Sequence, residues 1–336
     1  MKKTALALLC ALLLALALTA CGQDAAEPSS VPSAVPSEAA ETPEAASGLV
    51  ILYEADEDMI NNYSLLAVNP DAPFVDADGN SVADVYINTE GAAALINWML
   101  SAEGEAAAAD YGYAEYGEYL FYLADGAPVS TAEIPRATDE TRVIRMSTTT
   151  SVNDSGLLGY LLPMFEAEYG YEVEVTSAGT GKAIANAESG NADVLLVHSK
   201  SQEEEFVAAG YSYVLPGFES ERLTFLYNYF VLCGPADDPA GVKDAPSVRD
   251  AFAAIAEGKY PFVSRGDQSG THTKEVSLWP EELGITVDAA SVEQYADWYT
   301  YSNAGMGVCL TMAAETGSYI LSDKATFLTF QAGGAE

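Results

Sequence analysis

RVIRMSTTTSVNDSGLLGYLLPMFEAEYG, residues 142–170, is the stretch that decides the fold class. It reads as an apolar strand, a polar turn and an amphipathic helix that Gly170 ends. Residues 171–198 continue with an alternating strand, a glycine-containing turn into a helix, and another buried strand. Repeated strand, turn and helix predict an α/β lobe with a mostly parallel sheet.

A second lobe is predicted from the sequence that follows. Residues 225–241 read as a strand closed by a turn rich in proline and glycine. Residues 247–258 then have the pattern of a helix, 260–279 that of a strand, polar turn and helix, and 305–317 that of a further helix. The chain is therefore expected to form two α/β lobes with a cleft between them.

Composition excludes several classes of protein. The 336 residues include 14 Lys and Arg against 50 Asp and Glu, a formal charge of −36. Such a charge repels nucleic acid and anionic membranes, so no nucleic-acid partner is expected. The two histidines, His198 and His272, leave little material for a His-rich metal centre. No metal site and no cofactor are predicted.

The first 48 residues have the pattern of an export signal and a tether. Lys2 and Lys3 precede an apolar run that is short for a membrane span. The run ends in LTACG, residues 18–22, which resembles the bacterial lipobox. We expect residues 1–20 to be a lipoprotein signal peptide, Cys21 to carry lipid, and residues 21–48 to be a disordered tether. A plain secretory signal is the alternative.

Cysteine usage fits an exported chain. Cys10 would leave with the signal, so Cys233 and Cys309 are the cysteines of the folded part. Their spacing leaves open whether they form a disulfide or two buried free thiols, and we favour the thiols.

The first of three polar turns is STTTS, residues 147–151, between a strand and a helix. Free N–H groups at a helix start, together with up to five hydroxyls, make a cradle for an anion. An N-cap is the simpler interpretation, but one Ser or Thr suffices for capping.

The second and third turns are also rich in donors. SAGTGK, residues 177–182, lacks the spacing of a nucleotide-binding phosphate loop, so Gly179 and Gly181 are expected to bring Thr180 to a ligand. A purely structural turn is the alternative. SRGDQSGTH, residues 264–272, adds a guanidinium, hydroxyls and glycine amides.

An enzymatic interpretation would make Ser269, His272 and Asp267 a hydrolytic set. Residues two or three apart on one turn cannot easily align as nucleophile, base and orienting acid. No catalytic residue is therefore predicted, and the protein is expected not to be an enzyme.

Five segments in order resemble the tungstate-binding proteins of Tup-type ABC importers. They are residues 147–170, residues 177–199, NYFVLCGP, PFVSRGDQSGTHTKE and GMG. The resemblance, from about residue 142 to residue 328, implies a two-lobed periplasmic-binding-protein fold of type II that clamps a tetrahedral oxyanion. It implies ligand contacts from Thr148, Thr149, Thr150, Ser151, Thr180, Arg265, Ser269, Gly270 and Thr271.

The order of segments departs from that family. The part that resembles the family's C-terminal segment lies here at residues 49–125, ahead of STTTS, so the chain resembles a circularly permuted member. Lobe 1 would comprise residues 63–125 and 142–234, lobe 2 residues 49–62 and 235–330, and residues 126–141 would link the former ends. An added N-terminal domain is the alternative.

The sequence therefore predicts a monomeric, extracytoplasmic lipoprotein that captures tungstate for the membrane permease of an ABC importer. The lipid would be its one membrane contact. Phosphate, molybdate or sulfate is the alternative ligand, and an enzyme acting on a phosphorylated or acyl substrate is the alternative of another class. Asp267 is expected to cap the following helix or pair with a cation, because a free carboxylate would suit phosphate.

Overall fold

The computed structural model describes residues 48–333; residues 1–47, with the predicted signal peptide, Cys21 and most of the tether, lie outside the described part. The strands are β1 (Leu49–Tyr53), β2 (Ile60–Ala67), β3 (Tyr122–Leu123), β4 (Val143–Thr149), β5 (Glu172–Ala178), β6 (Val194–Val197), β7 (Leu223–Pro235), β8 (Phe262–Ser264), β9 (Tyr299–Tyr301) and β10 (Ile320–Asp323). The helices are α1 (Thr89–Met99), α2 (Ala102–Asp110), α3 (Tyr113–Tyr116), α4 (Thr150–Asp154), α5 (Leu157–Tyr169), α6 (Thr180–Glu188), α7 (Lys200–Ala208), α8 (Val248–Gly258), α9 (Gly270–Leu278), α10 (Ala289–Val292), α11 (Met306–Thr316) and α12 (Lys324–Gly333).

An eight-stranded mixed sheet organises the molecule, in the order β1-β7-β2-β6-β4-β5, with β3 and β10 also on β7. A second sheet consists of β8 and β9. Helices flank these strands, so the predicted α/β class is confirmed. Local signals set the helix ends as expected: Gly170 has φ +79° after α5, and its N–H bonds to the carbonyl of Glu166.

Parallel pairing between the named strands occurs in two places, so the sheets are less parallel than the sequence predicted. Strands β5, β4 and β6 are parallel in lobe 1, and β8 and β9 are parallel in lobe 2. Strands β2, β3, β1 and β10 all pair antiparallel with β7. The reason is topological: β7 carries the chain into lobe 2 and β2 carries it into lobe 1, so two adjacent crossing strands must run in opposite directions.

Strand β7 joins the lobes. Residues 223–229 pair with β2, and residues 230–235 pair with β1 or β10. The change of partner falls inside one 13-residue strand. At this crossing, the Asp323 carboxylate accepts hydrogen bonds from Asn228 Nδ2 at 2.5 Å and Tyr63 Oη at 3.0 Å.

Each lobe has its own hydrophobic core. One core of lobe 1 gathers Leu95, Ile144 and Phe165, and one core of lobe 2 gathers Phe252, Phe262 and Trp279. Burial of these faces against the sheet supplies most of the stabilisation, at about 25 cal/mol per Å² of apolar surface. Cys233 and Cys309 are buried free thiols in the second core of lobe 2.

Residues 49–125 are built into this architecture. Strand β1 pairs with the end of β7, strand β2 lies between β6 and β7, and α1 contributes to the lobe 1 core. Residues 126–141 run along lobe 1, where the Ser130 N–H bonds to the carbonyl of Leu100 at 2.7 Å. Gln331 Nε2 donates to the Leu49 carbonyl at 3.2 Å, so the two ends of the described chain meet. Within residues 48–333 no helix has the length and apolarity to cross a bilayer.

Candidate functional site

The STTTS turn ends β4 and begins α4. Thr149 is the N-cap, and its hydroxyl accepts the Val152 N–H at 3.3 Å. Thr150 follows at the start of α4 and lines the inter-lobe cleft. Ser151 is buried, with its hydroxyl 3.1 Å from that of Thr149. The turn therefore holds three adjacent hydroxyls at the carboxyl end of a parallel strand.

Thr148 is a correction to the predicted ligand set. Its side chain is fully buried, and its hydroxyl donates to the Leu196 carbonyl at 2.6 Å. The hydroxyl proton is thereby committed to the neighbouring strand, and none remains for a ligand. We remove the Thr148 hydroxyl from the candidate contacts.

The second turn presents Thr180 from the start of α6. Gly179 is at the N-cap position of α6 without a side chain to cap it, and Gly179 and Gly181 both line the cleft. Thr180 is fully buried, and its hydroxyl has no hydrogen-bond partner within the described residues. A buried hydroxyl without a partner is costly unless a ligand or water satisfies it.

The third turn presents Arg265, Ser269, Gly270 and Thr271 from lobe 2. Asp267 pairs with a cation, one of the two alternatives expected for it: its Oδ2 accepts from Arg265 Nη2 at 2.5 Å. Its Oδ1 accepts from the Ser269 N–H at 3.2 Å, but the side chain that caps α9 is that of Ser269, which accepts the His272 N–H at 3.3 Å. Ser269 is the N-cap of α9, and Gly270 is the first residue of that helix. Arg265 Nε and the Thr271 hydroxyl are buried and have no partner among residues 48–333.

The site is thus a concentration of donors from both lobes. The cleft is lined in lobe 1 by Thr150, Gly179 and Gly181, and in lobe 2 by Arg265 and Asp267. The Asp267 carboxylate in that lining is engaged by the Arg265 guanidinium and the backbone N–H of Ser269. Such a site can hold an anion by hydrogen bonds and the fixed positive charge, without an acceptor of its own.

His198 is the residue that sequence reasoning missed. It follows β6 and places Nε2 3.0 Å from both the Ser151 and the Thr149 hydroxyls. Burial first, and the Arg265 charge second, lower the pKa of His198 to about 4, so the imidazole is neutral near pH 7. The position could have been inferred, because β4 and β6 are parallel and their carboxyl ends meet at one edge of the sheet.

His272 supports the third turn from within lobe 2. Its Nδ1 accepts the Gln268 N–H at 3.0 Å, which assigns the single proton of a neutral ring to Nε2. Burial lowers the pKa of His272. Gln268 itself has φ +59°, a left-handed backbone conformation that is uncommon for a residue other than glycine.

No group of three or more His, Cys, Asp or Glu side chains in the described part of the chain is placed to hold a metal ion. The donors of the cleft are hydroxyls, a guanidinium and backbone N–H groups, which suit an oxyanion and not a bare cation.

A family model described as a PBP superfamily domain matches residues 135–335. The chain belongs to the PBP superfamily. The matched residues contain all three polar turns, and residues 49–125 lie outside the match.

Two proteins similar in sequence to this PBP superfamily chain are named tungstate-binding protein TupA. The protein from Peptoclostridium acidaminophilum is 47% identical over 191 residues, which are 56% of this chain and 62% of the relative. The protein from Campylobacter jejuni is 34% identical over 182 residues, 54% of this chain and 62% of the relative. The matches therefore span less than two thirds of either relative.

A solved structure with related sequence is described as the tungstate ABC transporter from Geobacter sulfurreducens. It is 37% identical, and the alignment covers 58% of this chain and 77% of that chain with a TM-score of 0.47.

Proposed function

We propose that this protein is an extracytoplasmic substrate-binding protein that captures a tetrahedral oxyanion, tungstate in particular, and delivers it to the permease of an ABC importer. The observation that carries the proposal is a set of buried donors that have no partner among residues 48–333: Thr180 Oγ1, which lies between the cleft-lining Gly179 and Gly181, Arg265 Nε and Thr271 Oγ1. The names of the two relatives point to the same ligand. Thr149, Thr150, Ser151, Ser269 and Gly270 complete the proposed ligand contacts.

The hydrogen bonds that the Asp267 carboxylate accepts favour tungstate over phosphate as the ligand. Tungstate at neutral pH carries no proton, so its site needs donors alone, whereas phosphate keeps a proton that rewards an acceptor. Both carboxylate oxygens of Asp267 already accept hydrogen bonds within lobe 2. The Asp267 carboxylate is therefore held within lobe 2 by a guanidinium and a backbone N–H, as the tungstate assignment expects.

Calorimetric titration of residues 22–336 with tungstate, molybdate, sulfate and phosphate tests the assignment. We expect tight binding of tungstate, and binding of phosphate weaker by at least about a hundredfold, a difference of about 2.7 kcal/mol. Competition by phosphate at a concentration comparable to that of tungstate would show the ligand assignment to be wrong.

One observation favours an enzyme, and an assay of hydrolysis tests it. Ser151 Oγ lies 3.0 Å from His198 Nε2, the distance of a nucleophile from its general base. His198 Nδ1, however, has no acceptor in residues 48–333 to orient the ring, and Nε2 is shared with Thr149. We propose a binding protein and expect no turnover of p-nitrophenyl acetate or p-nitrophenyl phosphate; hydrolysis lost in Ser151→Ala would favour the enzyme.

We also propose that Cys21 carries a lipid, that residues 21–48 tether the folded part outside the membrane, and that the protein acts as a monomer. The support is the lipobox-like sequence and the proline-rich, acidic composition that follows. Cys21→Ser should release the protein from the membrane fraction of expressing cells into the soluble fraction. Retention of the variant in the membrane fraction would contradict the anchor.

The order of segments is proposed to be a circular permutation. Its support is that residues 49–125 supply β2, an internal strand of the sheet, although the family match begins at residue 135. The hydrogen bond between Gln331 and Leu49 is the second support, because a short connection could join these ends.

A further inference from the structure

His198 lies at the junction of the two hydroxyls of lobe 1. Its Nε2 is 3.0 Å from the hydroxyl of Thr149 and 3.0 Å from that of Ser151, and those hydroxyls are 3.1 Å apart. The ring packs on Tyr63, with centroids 5.3 Å apart, and is 9% exposed. A side chain so enclosed has few rotamers open to it, so it fixes the two hydroxyls as a rigid unit.

Gly270 of lobe 2 lies directly against the same ring. A Cβ added to Gly270 would lie 2.6 Å from His198 Cε1 and 2.9 Å from His198 Nδ1, closer than non-bonded atoms tolerate. Gly270 is not among the glycines with positive φ, so its backbone conformation does not require glycine. Glycine is required here because the His198 ring approaches too closely for a side chain. One imidazole therefore contacts the hydroxyls of lobe 1 and the first residue of α9 in lobe 2.

The protonation of His198 determines what the hydroxyls can offer. With its pKa lowered to about 4, the ring is neutral near pH 7 and carries one N–H. When Nε2 bears that hydrogen, the ring donates to the hydroxyl pair and takes no hydrogen from it, so a hydroxyl hydrogen is left to point at an anion. A ring that only accepted would take one of those hydrogens away from the ligand.

We propose that His198 is a positioning residue that couples oxyanion capture by the Thr149 and Ser151 hydroxyls to closure of lobe 2 through Gly270. The proposal rests on the oxyanion-binding function proposed above. In it, His198 orients the hydroxyls in lobe 1 and forms the surface against which the start of α9 closes, and Gly270 is the residue that permits that approach.

The coupling is tested with Gly270→Ala, alone and with His198→Ala. Gly270→Ala keeps the backbone N–H but places a methyl group on the ring, so we expect tungstate affinity to fall at least about tenfold in calorimetry. In the His198→Ala background the same methyl group meets open space, and its effect should fall to about twofold or less. Gly307→Ala is the matched control: it is an exposed glycine near the start of α11, with nothing within 4 Å of an added Cβ.

Closure is read separately by intramolecular fluorescence transfer between dyes on the two lobes. Tungstate should raise the transfer efficiency in the parent and in Gly307→Ala, but not in Gly270→Ala. If Gly270→Ala binds and closes like the parent, the proposal is wrong. It is equally wrong if the loss in Gly270→Ala is unchanged when His198 is alanine.

Two conservative variants of His198 test the orientation of the hydroxyls. They also keep the proposal testable if Gly270→Ala fails to fold. The amide of His198→Gln can reach the position of Nε2, and that of His198→Asn cannot. We expect affinity within about threefold of the parent for Gln and a loss of about tenfold for Asn, with melting temperatures alike. Equal affinities would overturn the orienting role.

Oxyanion binding by the parent protein distinguishes failure of the coupling from failure of the proposed function. If it binds tungstate while the variants behave alike, the coupling fails and the proposed function stands. If the parent binds none of the four oxyanions, the proposed function fails, and the coupling falls with it.

Discussion

At the scale of single residues, Arg265 supplies the formal charge of the cleft. Its side chain is 3% exposed, Nη2 pairs with Asp267, and Nε has no partner among the described residues. A charge-assisted hydrogen bond in such surroundings is about twice as strong as a neutral one. The arginine also holds the Asp267 carboxylate, which would otherwise repel an anion.

We expect Arg265→Ala to weaken tungstate binding about a hundredfold and Thr180→Val by about fivefold, consistent with roughly 1.5–3 and 0.5–1.5 kcal/mol for charged and neutral hydrogen bonds. Thr180 is the better comparison than Thr149, whose hydroxyl also caps α4. Calorimetry of both variants measures the difference.

Asp267 explains part of that expected loss. Adding Asp267→Asn to Arg265→Ala removes the uncompensated carboxylate, so some affinity should return. Equal losses for Arg265→Ala and Thr180→Val would instead show that hydroxyls and backbone dipoles balance the anion without the arginine.

At the scale of elements, α9 joins the site to the core of lobe 2. Its first residues carry the proposed contacts, and its buried face carries Glu275, which is 2% exposed. The Glu275 Oε1 accepts hydrogen bonds from Trp279 Nε1 at 2.9 Å and Tyr299 Oη at 2.7 Å. Burial is the main cause that raises the pKa of Glu275 from 4.5 to about 7.

Glu275 should make the stability of the protein depend on pH near neutrality. Because the folded-state pKa is raised, the protonated form is favoured in the fold, and its stabilisation is lost as pH rises from about 4.5 through about 7. We expect the free energy of unfolding in urea to fall by up to about 3 kcal/mol through this group between pH 5 and pH 8.5.

Glu275→Gln is the matched variant, since the amide keeps an acceptor oxygen and does not ionise. Its unfolding free energy should lack this part of the pH dependence, while the other 49 of the 50 acidic residues titrate almost equally in both proteins. Parallel pH profiles for the two proteins would contradict the raised pKa.

At the scale of the whole molecule, two crossing strands hold the lobes together. β2 and β7 pair antiparallel from Ile60 with Tyr229 to Leu65 with Leu223. One crossing strand comes from the segment before STTTS and the other from the segment after it. Neither lobe is therefore a continuous stretch of chain.

A reordered chain tests the permutation. We expect a protein that begins at Glu140, joins residue 333 to residue 48 by about four Gly and Ser residues, and ends at Asp139 to fold and to bind tungstate within about threefold of the parent. Residues 139 and 140 lie in an exposed turn, which tolerates new ends when core contacts are kept.

Circular dichroism, the melting temperature and calorimetry compare the reordered chain with the parent. A soluble reordered protein that had lost β-sheet content and ligand binding would contradict the proposal. A deletion of residues 48–125 is the control, and it should not fold, because it removes β2 from the middle of the sheet.

The sequence by itself determined the features that depend on neighbours along the chain. Alternation and helical spacing predicted β4, α5, β5 and α6, and Gly170 was predicted to end α5, because strand, helix and cap patterns are local. The same reasoning found the three polar turns that contribute to the cleft. It also indicated that Asp267 pairs with a cation, since Arg265 is only two residues away.

Tertiary structure alone decided what depends on contacts between distant residues. Nothing local shows that Thr148 gives its proton to the carbonyl of Leu196, 48 residues away, while Thr150 lines the cleft. The antiparallel pairing of β7 follows from chain routing between the lobes, and the approach of Gly270 to His198 follows from the packing of one lobe on the other. Local pattern fixes which side chains can donate, but long-range packing determines which of them a ligand can reach.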